Sequence, residues 1–152
     1  MTTRTLFLAA AICAITLAAN AAPLPLYGNF FYSTECWQEQ SGDAGGNTLT
    51  LTRTPKGDKL IYGSGEDGPM TGRTAHDVRI TSRGSVTRIS FVVPPDPDYT
   101  DADRAAPDNF FARPRILRGT ISPTSVRLMM NGIGKYGVMP RRKPNYKPPM
   151  CR

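Results

Sequence analysis

The chain alternates. From Asn47 to Thr54 the sequence NTLTLTRT sets Leu49 and Leu51 on one side of an extended backbone and Thr48, Thr50 and Thr52 on the other. A period of two is the pattern of a half-buried strand. It recurs over His76–Thr81, with Val78 and Ile80 aligned, over Ser85–Val93, with Ile89, Phe91 and Val93 aligned, and over Ser125–Met130, with Val126, Leu128 and Met130 aligned. Phe30–Trp37, Lys59–Gly63 and Arg115–Ile121 are shorter runs of β-prone residues. Turn chemistry separates them: Pro55-Lys56-Gly57-Asp58, Ser82-Arg83-Gly84 and Ser122-Pro123-Thr124, with a glycine-rich loop over Gly63–Gly72. No window sustains helical spacing. Strands joined by short connections must pair antiparallel, because a parallel pair needs a crossover of about a dozen residues. The expected fold is therefore all-β, a small antiparallel barrel or sandwich of about seven strands. An up-and-down barrel is the first choice, since each strand then neighbours the next.

Ahead of the first strand lies a different pattern. Arg4 precedes an uncharged apolar run of 14 residues, Leu6–Ala19, and Ala19-Asn20-Ala21 follows as a small-x-small cleavage site. Residues 1–21 read as a cleavable secretory signal. The run is too short to cross a bilayer of about 30 Å as a helix, and no later stretch is long enough. The expected organisation is a signal over 1–21, a β-rich domain over 22–139 and a basic, proline-rich tail over 140–152. The destination is a periplasm or the extracellular space, with no transmembrane segment after cleavage.

Export decides how the cysteines are read. Cys13 leaves with the signal, and Cys36 and Cys151 are expected to pair in an oxidising compartment. That bond would tether the tail to the first strand. Closing so long a loop stabilises the fold by about 4–5 kcal/mol in the chain-entropy picture.

Charge is divided along the chain. Residues 22–108 hold 8 Lys and Arg against 12 Asp and Glu, whereas residues 109–152 hold 10 Lys and Arg and no acid. The tail PRRKPNYKPPMCR spaces Arg141, Arg142, Lys143 and Lys147 between prolines, which oppose helix and central strand. An extended cationic segment of this kind suits an anionic partner outside the cell: an envelope polymer, a lipid headgroup or an acidic protein. The plainer alternative is packing against the chain's own acidic 96–108 loop. Specific nucleic-acid recognition is not expected, because Tyr146 is the tail's one aromatic.

Catalytic and cofactor motifs are thin. Gly132-Ile133-Gly134-Lys135-Tyr136-Gly137 matches G-x-G-x-x-G, but a dinucleotide site needs that turn to open a helix, and here it leads to Val138-Met139-Pro140. Asp96, Asp98, Asp101 and Asp103 are the weak candidates for a Ca²⁺ site, without the Gly and Glu of the helix–loop–helix calcium pattern. His76 is the single histidine, and Asp77 beside it is expected to point to the opposite face of a strand. Glu35 and Glu39 flank Cys36 and Trp37, a weak basis for carboxylate hydrolysis. No catalytic residue or cofactor is assigned. The leading expectation is a non-enzymatic binding module whose basic half meets an anionic partner. One alternative is a small-molecule carrier, in which Leu49, Leu51, Val78, Ile80, Ile89, Phe91, Val126 and Leu128 line a void rather than close on one another. The other is a carboxylate-based hydrolase.

Overall fold

The computed structural model describes residues 23–40, 42, 44–65, 72–106, 109, 112–130 and 134–151. The expected signal lies outside these residues, as do Cys13, Asp108, Gly132 and Ile133. The strands are β1 (Gly28–Ser33), β2 (Cys36–Trp37), β3 (Ala44–Thr54), β4 (Gly57–Gly65), β5 (Arg73–Thr74), β6 (His76–Arg83), β7 (Val86–Val93), β8 (Arg115–Ile121), β9 (Ser125–Met130) and β10 (Gly134–Arg142). One short helix, α1 (Asp101–Ala105), sits in the acidic loop. No described helix is long and apolar enough to cross a membrane.

The all-β, antiparallel expectation holds, and the sheet curls into a nearly closed barrel. Nine strands follow one hydrogen-bonded path in the order β5-β4-β3-β1-β10-β9-β8-β7-β6, with β2 paired to β3 beside it. The order is that of an up-and-down meander. Consecutive strands are neighbours, and β1 bridges β3 and β10 through the pairs Tyr32↔Leu49 and Tyr32↔Arg141. The seam falls inside the chain. β5 pairs with β4 and β6 pairs with β7, while Ala75 alone separates β5 from β6 and donates its N–H to the Leu60 carbonyl at 2.9 Å. The path's two ends are thus one covalent run that leaves β4 and joins β7.

Nine strands lie on the path where the sequence leads one to expect about seven, and two segments differ in kind. By its glycines the stretch after β9 is expected to be a turn running into the tail from Pro140. It is instead the strand that joins the last hairpin to β1, and it continues through Pro140 to Arg142. Proline fits because the neighbouring N–H, that of Arg141, reaches the Thr124 carbonyl at 2.7 Å. The segment Asp101–Ala105 falls in the acidic 96–108 loop, where no helical spacing marks it. Thr100 caps it as a helix, its hydroxyl accepting from the Asp103 N–H while the Asp103 carboxylate accepts from the Thr100 N–H. A capping box stabilises a turn too short to show apolar periodicity.

Inside, the aligned residues meet. Leu49, Leu51, Ile89, Phe91, Val126 and Leu128 are buried in one cluster with Phe30, Tyr32, Leu60, Tyr62, Val93, Leu117, Ile121 and Met139. Val78 and Ile80, from the sparsely buried β6, pack against it. Tyr62 and Phe91 face each other across the interior with ring centres 5.8 Å apart. The side chains that a carrier would set around a void all belong to this cluster or pack against it. Leu24, just past the expected cleavage point, is buried in the same cluster.

Candidate functional site

One end of the barrel is built from the turn between β8 and β9 and the end of β10. There Arg141 and Arg142 occupy successive positions on β10, so their side chains leave opposite faces of the strand. Arg141 lies over the barrel's end. Its Nη1 donates to the Pro123 carbonyl at 3.3 Å, its Nη2 donates to the Asn29 carbonyl at 3.4 Å, and its guanidinium stands 4.9 Å from the centre of the Phe30 ring. Arg142 takes the outer side. Its Nε donates to the Ser33 carbonyl at 3.3 Å and its guanidinium stands 4.6 Å from the centre of the Tyr146 ring. Tyr146 also touches Phe31, with ring centres 6.5 Å apart, and donates its hydroxyl to the Glu35 carbonyl at 3.0 Å.

Carbonyls and aromatic faces hold these two cations. Among the described residues the ion pairs are Arg53–Asp58, Arg73–Asp96, His76–Asp77 and Arg104–Asp101, and none includes Arg141, Arg142, Lys143 or Lys147. A guanidinium carries five N–H donors. The contacts above leave most of them unspent while fixing where the charge sits. Arg141, Arg142 and Lys143 line a groove of about 380 Å³ together with Pro123, Thr124 and Pro144. That volume is at the small end of the range typical of small-molecule clefts, about 300–1,000 Å³. Lys147 is exposed but is not among the lining residues.

Cys36 and Cys151 are joined, with Cα atoms 4.9 Å apart and 115 positions between them. The tail is docked as well as bonded. Trp37 donates its N–H to the Pro149 carbonyl at 2.8 Å and its carbonyl accepts from the Cys151 N–H at 2.7 Å, forming a parallel bridge with Met150. Trp37 is 42% exposed at the rim beside the bond. The tail therefore lies along β1 and β2 rather than against the acidic loop.

Three carboxylates of that loop, those of Asp96, Asp101 and Asp103, have partners within the chain. Asp96 pairs with Arg73 and also accepts from the Asp98 N–H at 3.1 Å. Asp101 pairs with Arg104. Asp103 accepts from the Thr100 hydroxyl at 2.6 Å and from its N–H at 2.7 Å, and these bonds hold its carboxyl below the ordinary carboxylate range. Among the described residues no three His, Cys, Asp or Glu side chains gather as a metal site would require. His76 and Asp77 do meet, Nδ1 to Oδ2 at 3.0 Å, contrary to the alternation rule. The reason is local: Asp77 has φ 52°, and the register slips by one residue between His76 and Arg79. Both side chains are exposed on a β-bulge. Glu35 is half-buried and Glu39 exposed at the margins of β2.

Sequence reasoning missed the residues that hold the cations: Asn29, Phe30, Ser33, Pro123 and Thr124. They act through main-chain carbonyls, ring faces and groove walls, which carry no charge pattern to read. No protein-family model, no curated protein and no solved structure matches this chain.

Proposed function

We propose that the chain is an exported, non-enzymatic binding module whose basic C-terminal half holds an anionic partner in the groove between the β8–β9 turn and the end of β10. The observation that carries this reading is the setting of Arg141, Arg142 and Lys143: three cations around one groove, two of them held by carbonyls and rings, without a carboxylate partner among the described residues. Cations positioned in advance lose little side-chain freedom on binding. The partner is an envelope polymer, a lipid headgroup or an acidic protein presenting phosphate or carboxylate groups, with Lys147 adding exposed charge further along the tail. The Cys36–Cys151 bond supports a periplasmic or secreted location.

The experiment is titration of residues 22–152, purified with the disulfide intact, with two soluble probes, polyphosphate and poly-glutamate, at a series of salt concentrations. Binding to at least one probe should weaken steeply as ionic strength passes about 0.1 M, where the screening length is about 10 Å. The variant R141Q/R142Q/K143Q should lose most of it. Equal binding by the variant, or insensitivity to salt, would overturn the reading.

A further inference from the structure

The strand register shows a second basic surface that the linear sequence conceals. On β6 and β7, Arg79 is opposite Ser90 and Thr81 is opposite Arg88. On β7 and β8, Ser90 is opposite Arg118 and Arg88 is opposite Thr120. On β8 and β9, Arg118 is opposite Met129 and Thr120 is opposite Arg127. Directly opposed residues share a face, and residues two apart on a strand share it too. Arg79, Arg88, Arg118 and Arg127 therefore stand on the outer wall of the barrel as a zigzag of diagonal neighbours, one per strand. All four are exposed.

Among the described residues no ion pair offsets them. The sequences of β7, β8, β9 and β10 contain no Asp or Glu, and the one acid of β6, Asp77, sits at the bulge beside His76. None of the four arginines has a carboxylate partner among the described residues. Like charges on neighbouring strands repel, so the wall gains by meeting negative charge.

Apolar side chains alternate with the cations. Met129 is opposite Arg118 and 51% exposed, Val138 is opposite Arg127 and 44% exposed, and Ile116 is two residues before Arg118 and 39% exposed. A dissolved polyanion gives these residues nothing to enter. The surface of an anionic bilayer offers both parts at once, phosphodiester groups for guanidiniums and the acyl boundary for exposed aliphatic side chains. We propose that the outer wall of β6–β9, with the adjoining edge of β10, is a docking surface for an anionic phospholipid bilayer. The groove reading also admits a lipid headgroup, but the two surfaces are built from different residues, so each can fail alone.

The test is sedimentation of the disulfide-bonded chain, residues 22–152, with vesicles of phosphatidylcholine alone and of three parts phosphatidylcholine to one part phosphatidylglycerol. The chain should sediment with the mixed vesicles and stay in solution with the neutral ones. Each arginine removed from the wall should lower partitioning by about five-fold, the equivalent of roughly 1 kcal/mol per basic residue near an anionic surface. R88S/R118S should therefore fall steeply, while R141Q/R142Q should keep most of the binding. I116S/M129S, which leaves the charge unchanged, should lower partitioning, and its loss should persist at high salt. These positions are outward-facing, and circular dichroism checks that each variant is folded. Equal binding to both vesicle types would overturn the proposal. So would vesicle binding lost in R141Q/R142Q but kept in R88S/R118S. Undiminished vesicle binding by I116S/M129S, with polyphosphate competing fully, would assign the wall to a soluble polyanion instead.

Discussion

The hydroxyl of Tyr32, on the first strand, donates to the carbonyl of Ser122, in the turn between β8 and β9, at 2.6 Å across 90 positions of sequence. Tyr32 is fully buried, so this bond supplies the partner that a buried hydroxyl needs. Burial pushes the phenol from its ordinary value of 10.0 up to about 12, and Arg141 nearby partly opposes that shift. The folded state therefore keeps a proton that the unfolded chain gives up. Stability from this group is fully present below pH 10 and falls as pH rises from 10 towards 12. Two units correspond to roughly 2–3 kcal/mol. Urea unfolding of the wild-type chain at pH 8, 10 and 11 should show this fall, and Tyr32→Phe should flatten it. At pH 8 the same variant should be weaker by about 1–3 kcal/mol, because the Ser122 carbonyl loses its donor.

Reduction of Cys36–Cys151 should release two things. The unfolded chain gains the freedom of a loop spanning 115 positions, which costs the fold about 4–5 kcal/mol in the chain-entropy picture. The tail also loses its anchor beside Trp37, and with it the Tyr146 ring that faces Arg142. Cys36→Ser/Cys151→Ser should lower the thermal midpoint and change the emission of Trp37, the chain's single tryptophan. Wild-type chain under reductant should behave alike. A double variant as stable as the oxidised chain would show that the bond contributes nothing.

Gly119 sits where the β9 backbone leaves no room for a side chain on β8. It is paired with Ile89 on one side and Leu128 on the other, and a methyl group there would collide with the Arg127 carbonyl. The obstacle is backbone, so it cannot rotate aside. Gly119→Ala should cost about 1–3 kcal/mol, the range for overpacking a filled core. It should also disturb the wall, because Arg118 and Arg127 flank the displaced backbone. Denaturant midpoints check the first claim, and vesicle sedimentation checks the second.

Much of this was legible beforehand because alternation is a local signal. Leu49 and Leu51, Ile89 and Phe91, and Val126 and Leu128 each announce an inward face, and each pair is buried in the common cluster. β10 was not legible: Gly134, Gly137 and Pro140 disfavour strand locally, and only pairing to β9 and β1 holds the segment extended. The meeting of His76 with Asp77 was hidden for a similar reason, since a bulge breaks the rule on which the expectation rested. Arg141 and Arg142 stand out by charge, yet what makes them a site is the set of carbonyls at Asn29, Ser33 and Pro123, brought there by two segments far apart in sequence, β1 and the β8–β9 turn. The wall arginines lie 9, 30 and 9 positions apart in sequence, so only register brings them side by side.

Arg141 ties the groove to the core, and that coupling can be measured. Its guanidinium rests on Phe30, spans the Asn29 and Pro123 carbonyls, and lies opposite Tyr32 in the register of β1 and β10. Removing its charge should raise the Tyr32 phenol further, since Arg141 is the influence that lowers it. Difference spectra at alkaline pH, with Tyr32→Phe as the subtraction, should show the Tyr32 transition moving up in Arg141→Ala. Lysine restores the charge but cannot span two carbonyls with a planar fork. Arg141→Lys should therefore bring the Tyr32 transition back towards wild type while recovering only part of the stability and of the binding to anionic probes. If alanine and lysine at position 141 gave the same Tyr32 titration, the charge of Arg141 would not be what reaches the core.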